Sequence, residues 1–374
     1  MKYFEINKTL VSRLGFGCMR FPVHDGDNGK IKREESSKLL LDAISRGVNY
    51  IDTAYPYHEE TSEKFVGDFL HENNLRDKVQ LATKLPCWMV EKTEDFETLL
   101  KRQLKNLKTD HIDFYLLHSL DLKRFKKIVS LGVFDFCDEI KKKGIVKHIG
   151  FSFHDEYSAF EEMIKSYNWD FCQIQLNYLD IDYQAGLKGY ELATSLNIPV
   201  IVMEPLKGGR LSSPPSEVKE LNAEFEGLSP SQVAIKFPLS LENVMTVLSG
   251  MNSHTQVEEN VQMASEVSPN SLSEKEKSFY EKARQIYKKR ERIGCTACEY
   301  CMPCTVEINI PKVFGLWNNA YLYNEEEKSK LQYKKYLEDG VSPVECIECG
   351  KCEDICPQNL QIIKGLRDAH EYLK

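Results

Sequence analysis

The chain has 374 residues, 28% of them charged, and a formal net charge of -8 at pH 7. That length exceeds the roughly 250 residues of one typical barrel and points to two domains, while the acidic balance disfavours nucleic acid, whose binders present a basic face. Residues 1–10 lack the apolar core of a signal peptide and no uninterrupted apolar run approaches bilayer length, so a cytoplasmic chain without membrane contact is expected.

Short apolar runs alternate with longer amphipathic ones, the pattern of repeated βα units around a parallel sheet. Predicted strands cover residues 14–19, 48–53, 79–84, 112–118, 146–152, 171–176, 200–203 and 244–248. Predicted helices cover 34–46, 59–73, 94–107, 134–143, 157–166, 187–196, 230–237 and 255–264. This count suits an α/β fold of the (β/α)8 TIM barrel type. Arg46-Gly47 and Lys143-Gly144 place a cation and then glycine where helices end. Residues 1–11 precede the first strand and are expected to plug the barrel floor.

Three successive strand runs stop at Asp52, Lys84 and His118, and Tyr57 follows Asp52 by five residues. Side chains at the carboxyl ends of barrel strands converge on one mouth. A phenol there is a reluctant acid with a pKa near 10; an ammonium from Lys84, held by Asp52, is expected to lower it toward the working range. His118 would hydrogen-bond a substrate carbonyl oxygen and orient it. The bland alternative makes Asp52 a helix cap, Lys84 a solvated cation and His118 a core residue. The loop at 119–132 carries Lys123, Arg124, Lys126 and Lys127 and reads as solvated. After the seventh strand comes Glu204-Pro205-Leu206-Lys207-Gly208-Gly209-Arg210, where barrels commonly bind phosphate through backbone N–H groups.

The Asp-Thr-Ala-x-x-Tyr run at 52–57, the Ala-Thr-Lys strand end at 82–84 and the Leu-Leu-His end at 116–118 resemble the catalytic tetrad of the aldo-keto reductases. The similarity covers about the first 265 residues. It implies Tyr57 as general acid/base, supported by Asp52, Lys84 and His118, acting on a small-molecule carbonyl substrate. It further implies that Ser152 and Gln173 hold a nicotinamide carboxamide, Met203 stacks on the ring, Leu206 and Gly208 face the pyrophosphate, and Glu259 and Asn260 contact adenine. Phe153 stands where that family usually has asparagine, and Met203 replaces the usual aromatic ring. Gly250-Met251 and Gln256 stand where many relatives carry a Lys-Ser pair and an arginine for the 2′-phosphate, leaving NADP(H) and NAD(H) both open. The loop at 204–210 would serve a flavin phosphate as well.

Residues 271–292 read as a charged amphipathic connector helix packed on the barrel, with Phe279, Ala283, Ile286 and Tyr287 on one stripe. The barrel is thus assigned to 1–270, the connector to 271–292 and a second domain to 293–374. Eight of the 12 cysteines fall in that last part. Cys346, Cys349, Cys352 and Cys356, followed by Pro357, match the C-x2-C-x2-C-x3-C-P run of bacterial ferredoxins, whose last thiolate reaches the other cluster. Cys295, Cys298, Cys301 and Cys304 form a version one residue shorter at its last interval. Swapped ligation predicts two [4Fe–4S] clusters, one on Cys295, Cys298, Cys301 and Cys356, the other on Cys346, Cys349, Cys352 and Cys304. A pair of zinc sites would leave the tight triplets and the Cys-Pro ending unexplained. The spacer at 313–339, with Trp317, Tyr321, Leu331, Tyr333 and Tyr336, resembles the mainly α-helical ferredoxins. Cys18, Cys87, Cys137 and Cys172 are expected to pack as small apolar side chains.

Three functional readings follow. The first is an oxidoreductase passing hydride between a nicotinamide and a carbonyl or alcohol, with an appended cluster domain. In the second, the clusters connect a flavin or radical-forming substrate at the barrel mouth to a ferredoxin-like redox partner. The third, a non-catalytic docking platform, conflicts with a complete tetrad.

Overall fold

Each predicted barrel strand enters one closed parallel sheet. The structure is a computed structural model and describes residues 1–222, 225, 227–295, 297, 299–356 and 358–374. The chain divides into two compact units, one of Met1–Gly209 with Ser231–Ser273, the other of Arg210–Pro230 with Glu274–Lys374.

In the first unit a hairpin of β1 (Tyr3–Ile6) and β2 (Thr9–Ser12) precedes eight barrel strands. These are β3 (Leu14–Gly17), β4 (Tyr50–Asp52), β5 (Gln80–Leu85), β6 (Ile112–Leu120), β7 (Val146–Phe153), β8 (Phe171–Gln175), β9 (Val200–Met203) and β10 (Val244–Ser249), with β10 pairing β3 to close the ring. The strands read as nearly continuous apolar runs because helices cover their outer face and packed side chains fill the inner one. Inside, Tyr50, Phe114, Phe171, Ile201 and Met245 form one cluster, and Ile6 and Val11 of the hairpin join it. The hairpin therefore plugs the barrel as expected.

The helix ends at 46–47 and 143–144 follow from glycine. Gly47 and Gly144 adopt φ of 96° and 72°, left-handed values that a Cβ makes unfavourable. The stretch after His118 departs from expectation. β6 runs on to Leu120, and Leu122–Ser130 is a helix whose N-cap Asp121 accepts the Arg124 N–H at 2.7 Å. Two of its cations have partners: Arg124 donates to Ser119 O at 2.8 Å, and Lys127 pairs with Glu91 at 2.7 Å.

The second unit is built of helices, chiefly Ser216–Asn222, Glu274–Arg290, Ile310–Leu322, Glu326–Asp339 and Ile362–Leu373. The helix expected as a connector groups with this unit. Its buried stripe includes Phe279, which meets Phe225 edge-on at 4.7 Å, and its Arg290 pairs with Glu217 at 2.9 Å. The helix-favouring spacer at 313–339 forms two helices; Tyr333 and Tyr336 are buried and Leu331 is exposed. Ile310, Phe314, Ile362 and Leu366 form the core, against which Cys295, Cys301, Cys304, Cys346, Cys352 and Cys356 pack. Among the described residues no helix is long and apolar enough to cross a membrane.

Candidate functional site

The strand register brings the four predicted mouth residues together. Asp52 ends β4, Lys84 lies near the end of β5, and His118 lies near the end of β6. Lys84 is fully buried and donates from Nζ to Asp52 Oδ1 at 2.6 Å, to Thr53 O at 2.9 Å and to the Tyr57 phenol oxygen at 3.3 Å. It is therefore neither solvated nor unpaired, and Asp52 is its counter-ion rather than a helix cap. Since Lys84 donates to the phenol oxygen, the phenol's own hydrogen stays available for another acceptor. The His118 ring lies 6.3 Å from the Tyr57 ring, and the His118 Nδ1 is buried with no hydrogen-bond partner among the described residues.

The electrostatics correct one expectation. Burial is the largest influence on Tyr57 and outweighs the pull of Lys84, so its pKa lies above the ordinary 10.0 rather than below it. Burial also raises the Asp52 carboxyl, against the opposing effect of Lys84. Lys84 itself is lowered by burial but raised more by Asp52 and Tyr57, and remains a cation. His118 falls well below 6.5, first through burial and then through Lys84, His154 and Arg124, so its imidazole is neutral. The site thus holds a protonated phenol, an ammonium and a neutral imidazole, a set that can donate a proton to an oxygen and stabilise the phenolate left behind.

Several residues that the sequence reading passed over fix this geometry. His58, directly after the phenol, is buried; its Nε2 accepts the Phe21 N–H at 3.2 Å and its Nδ1 donates to Asn28 O at 2.9 Å. It anchors a loop in which His58, Glu59 and Glu60 adopt φ of 51°, 51° and 68°, a strained run for residues with side chains. Gln103 donates to Lys84 O at 3.0 Å and to Glu63 Oε1 at 2.6 Å, and accepts from Tyr115 at 2.8 Å. Trp88 flanks His118 at 5.2 Å. Only His58 left a sequence signal, its adjacency to Tyr57.

The residues expected around a nicotinamide are partly gathered. Ser152 and Gln173 are register partners on β7 and β8, both buried. Gln173 donates to Met203 Sδ at 3.3 Å, and its Oε1 is buried with no partner among the described residues, which fits an amide donor such as a carboxamide. Ser152 Oγ accepts the Ser119 N–H at 2.7 Å. Leu206 and Gly208 lie in the turn after β9, with Gly208 exposed at φ 66°. Glu259 and Asn260 lie in the second turn of the helix His254–Glu266 rather than at its start. Glu259 is half-buried, while Asn260 is buried and donates to Ser249 Oγ at 3.0 Å.

The cysteines border two cavities of the second unit. Cys295, Cys301 and Cys356 line one, together with Ile310 and Phe314. Cys304, Cys346, Cys349 and Cys352 line the other, of about 200 Å³, which Cys301 also reaches. Cys298 lies outside the described residues, as does Pro357. Burial and the nearby Glu353, Cys304 and Cys346 push the Cys352 thiol up to about 11, and Thr305 stands 3.6 Å from Cys349 Sγ. Among the described residues no three His, Cys, Asp or Glu side chains are gathered around a single-ion centre. Cys18, Cys87, Cys137 and Cys172 are buried, as expected of small apolar side chains.

Comparison with known proteins matches residues 13–277 to the model of the aldo/keto reductase family and residues 294–360 to that of a 4Fe-4S dicluster domain. An uncharacterized oxidoreductase of Bacillus subtilis is 26% identical over 286 residues, 68% of this chain and 87% of the relative. Methylglyoxal reductase of Escherichia coli is 26% identical over 230 residues, 59% of this chain and 76% of that protein. Among solved structures, the holo form of an aldo-keto reductase from Bacillus halodurans has a TM-score of 0.63 and 25% identity, over 76% of this chain and 96% of that one.

Proposed function

Because this chain belongs to the aldo/keto reductase family and is an oxidoreductase with a 4Fe-4S domain, we propose that its barrel mouth passes hydride between a nicotinamide cofactor and a carbonyl or alcohol carbon. The observation that carries this reading is the buried Lys84 ammonium, which bridges Asp52 at 2.6 Å and the Tyr57 phenol oxygen at 3.3 Å.

In reduction, Tyr57 protonates the carbonyl oxygen as negative charge develops there, and in oxidation it takes the alcohol proton back. A phenol above its ordinary pKa is fully protonated at neutral pH. An alkoxide is far more basic, so transfer to it is downhill once that charge appears. Lys84 stabilises the resulting phenolate, and Asp52 keeps the ammonium in place. The neutral His118 offers a ring nitrogen to the same oxygen and orients the carbonyl. The nicotinamide, when bound, supplies or accepts the hydride. Gln173 and Ser152 would hold its carboxamide, Met203 would face its ring, Leu206 and Gly208 would meet the pyrophosphate, and Glu259 and Asn260 would lie toward the adenine. The name of the Escherichia coli relative, methylglyoxal reductase, supports a small carbonyl substrate. NADH and NADPH are both candidates.

In the second unit, Cys295, Cys298, Cys301 and Cys356 would hold one [4Fe–4S] cluster and Cys346, Cys349, Cys352 and Cys304 the other, each supplying one-electron chemistry. The two cavities support this grouping for the described cysteines other than Cys301, which borders both.

Tyr57→Phe tests the barrel reading. With methylglyoxal as probe, its turnover should fall by about 10²–10⁴-fold, the usual worth of a positioned acid, while dinucleotide affinity stays near that of the wild type. Comparable turnover would remove Tyr57 as the proton donor.

A further inference from the structure

The two cysteine runs differ at a position that ligand assignment leaves unused. Cys356 is followed by Pro357, which has neither a hydroxyl nor an N–H, whereas Cys304 is followed by Thr305. Thr305 is exposed, and its Oγ1 lies 3.6 Å from Cys349 Sγ, 44 positions along the chain. That is hydrogen-bond range for sulfur, whose radius exceeds that of oxygen. Between a thiol and a hydroxyl either group could donate. Once Cys349 is a thiolate bound to iron it carries no hydrogen, so the hydroxyl must be the donor. The Lys351 N–H donates to the same sulfur. Cys349 thus has two donors, a side chain from the other cysteine run and a backbone group from its own.

The surroundings act in the same direction. Cys349 is exposed, and Tyr300, Ile347 and Ile355, which line the same cavity, are exposed as well. At the first cavity the described cysteines are only partly exposed, and Phe314 and Ile362 on its wall are buried. Reduction of an iron–sulfur cluster adds one negative charge, which hydrogen bonds to the sulfurs and access to water both stabilise. A donor to sulfur gains strength as the sulfur takes up charge, so it favours the reduced form over the oxidised one. The hydroxyl and the exposure fall on the same cluster, the one assigned to Cys304, Cys346, Cys349 and Cys352.

We infer that Thr305 donates a hydrogen bond to the Cys349 sulfur of this second cluster and holds its potential above that of the first, so that an electron entering the unit settles beside the solvent-facing Cys349. Thr305 is a tuning residue and not a ligand. The assignment rests on the two-cluster reading above and deepens it.

The test is a redox titration of the full-length protein, purified anaerobically with its clusters in place. Electron paramagnetic resonance follows the reduction as dithionite is added, and iron is counted in each sample. Thr305→Val keeps the shape of the side chain and removes the hydroxyl. It should disfavour reduction of the higher-potential cluster by about tenfold, a step lower by about 59 mV, and leave iron content and the other step unchanged. Thr305→Ser should return the step to its wild-type position. Unmoved steps in Thr305→Val, a shift of the lower step or of both, or no recovery in Thr305→Ser would overturn the proposal, as would a single wild-type step carrying both clusters. Iron lost from Thr305→Val would make the hydroxyl a support for the cysteine and overturn the tuning role. A wild-type protein with iron for fewer than two clusters would overturn the two-cluster reading itself, and shows this before any variant is titrated.

Discussion

Replacing Lys84 by methionine keeps the length of the side chain and removes its charge. The ammonium stands 3.3 Å from the Tyr57 oxygen in a fully buried site. At an effective dielectric of about 20, a unit charge pair at that distance is worth about 5 kcal/mol. If about half a charge has developed on the phenol at the transition state, the variant forfeits about 2.5 kcal/mol, on the order of 10²-fold in rate. Asp52 does not compensate, because burial already raises its carboxyl and without Lys84 it takes up a proton. The assay is single-turnover oxidation of pre-bound NADPH by methylglyoxal, with dinucleotide affinity measured alongside to confirm a folded barrel. A Lys84→Met rate within about threefold of wild type, less than 1 kcal/mol, would refute the role given to the ammonium. The loss should also exceed that of His118→Ala only if the phenolate, rather than the substrate oxygen, carries most of the developing charge.

Cys304→Ser should lower the iron content of anaerobically purified protein by about half, because Cys304 shares its cavity with Cys346, Cys349 and Cys352. Cys137→Ser, buried in the barrel, should leave iron unchanged, and equal iron in both variants would refute the ligand assignment. Stability should fall on acidification through the histidine range. Burial holds His58, His118, His148 and His154 below their ordinary 6.5, so the unfolded chain takes up protons there while the fold does not. The stabilisation is complete above that value and is lost as pH falls below it toward the folded pKa values, so the melting midpoint should drop between about pH 7 and 5.5; a flat or rising midpoint would contradict it.

Much of the barrel was legible because each βα unit repeats the same two periods, and the mouth was legible because Asp52, Lys84 and His118 each close a strand run. What spacing reports is which side chains share a strand end. It does not report enclosure, and enclosure decides the sign at Tyr57, where burial outweighs an ammonium 3.3 Å away. Nor does spacing reveal partners that meet only through folding. Gln103 reaches the Lys84 carbonyl from the buried face of a helix, and His58 is fixed by Phe21 and Asn28.

The same reasoning explains why the helix expected as a connector at 271–292 groups with residues 210–230. Read locally, 210–230 is a loop of the barrel and 271–292 a helix with an apolar stripe, and nothing in either names the other. Their affinity lies in Phe225 against Phe279 and Glu217 against Arg290, contacts between residues more than fifty positions apart. By contrast, the shortened interval before Cys304 could be judged only in three dimensions. A one-residue deletion in a regular strand would turn the side chain to the opposite face. In a loop whose residues Ala297 and Glu299 already adopt left-handed φ, no such alternation exists to be broken, and Cys304 still reaches the wall shared with the second triplet. Interval rules taken from a regular motif therefore constrain ligands on strands and helices more tightly than ligands on turns, and Cys304, the cysteine least favoured by spacing, borders the same cavity as Cys346, Cys349 and Cys352.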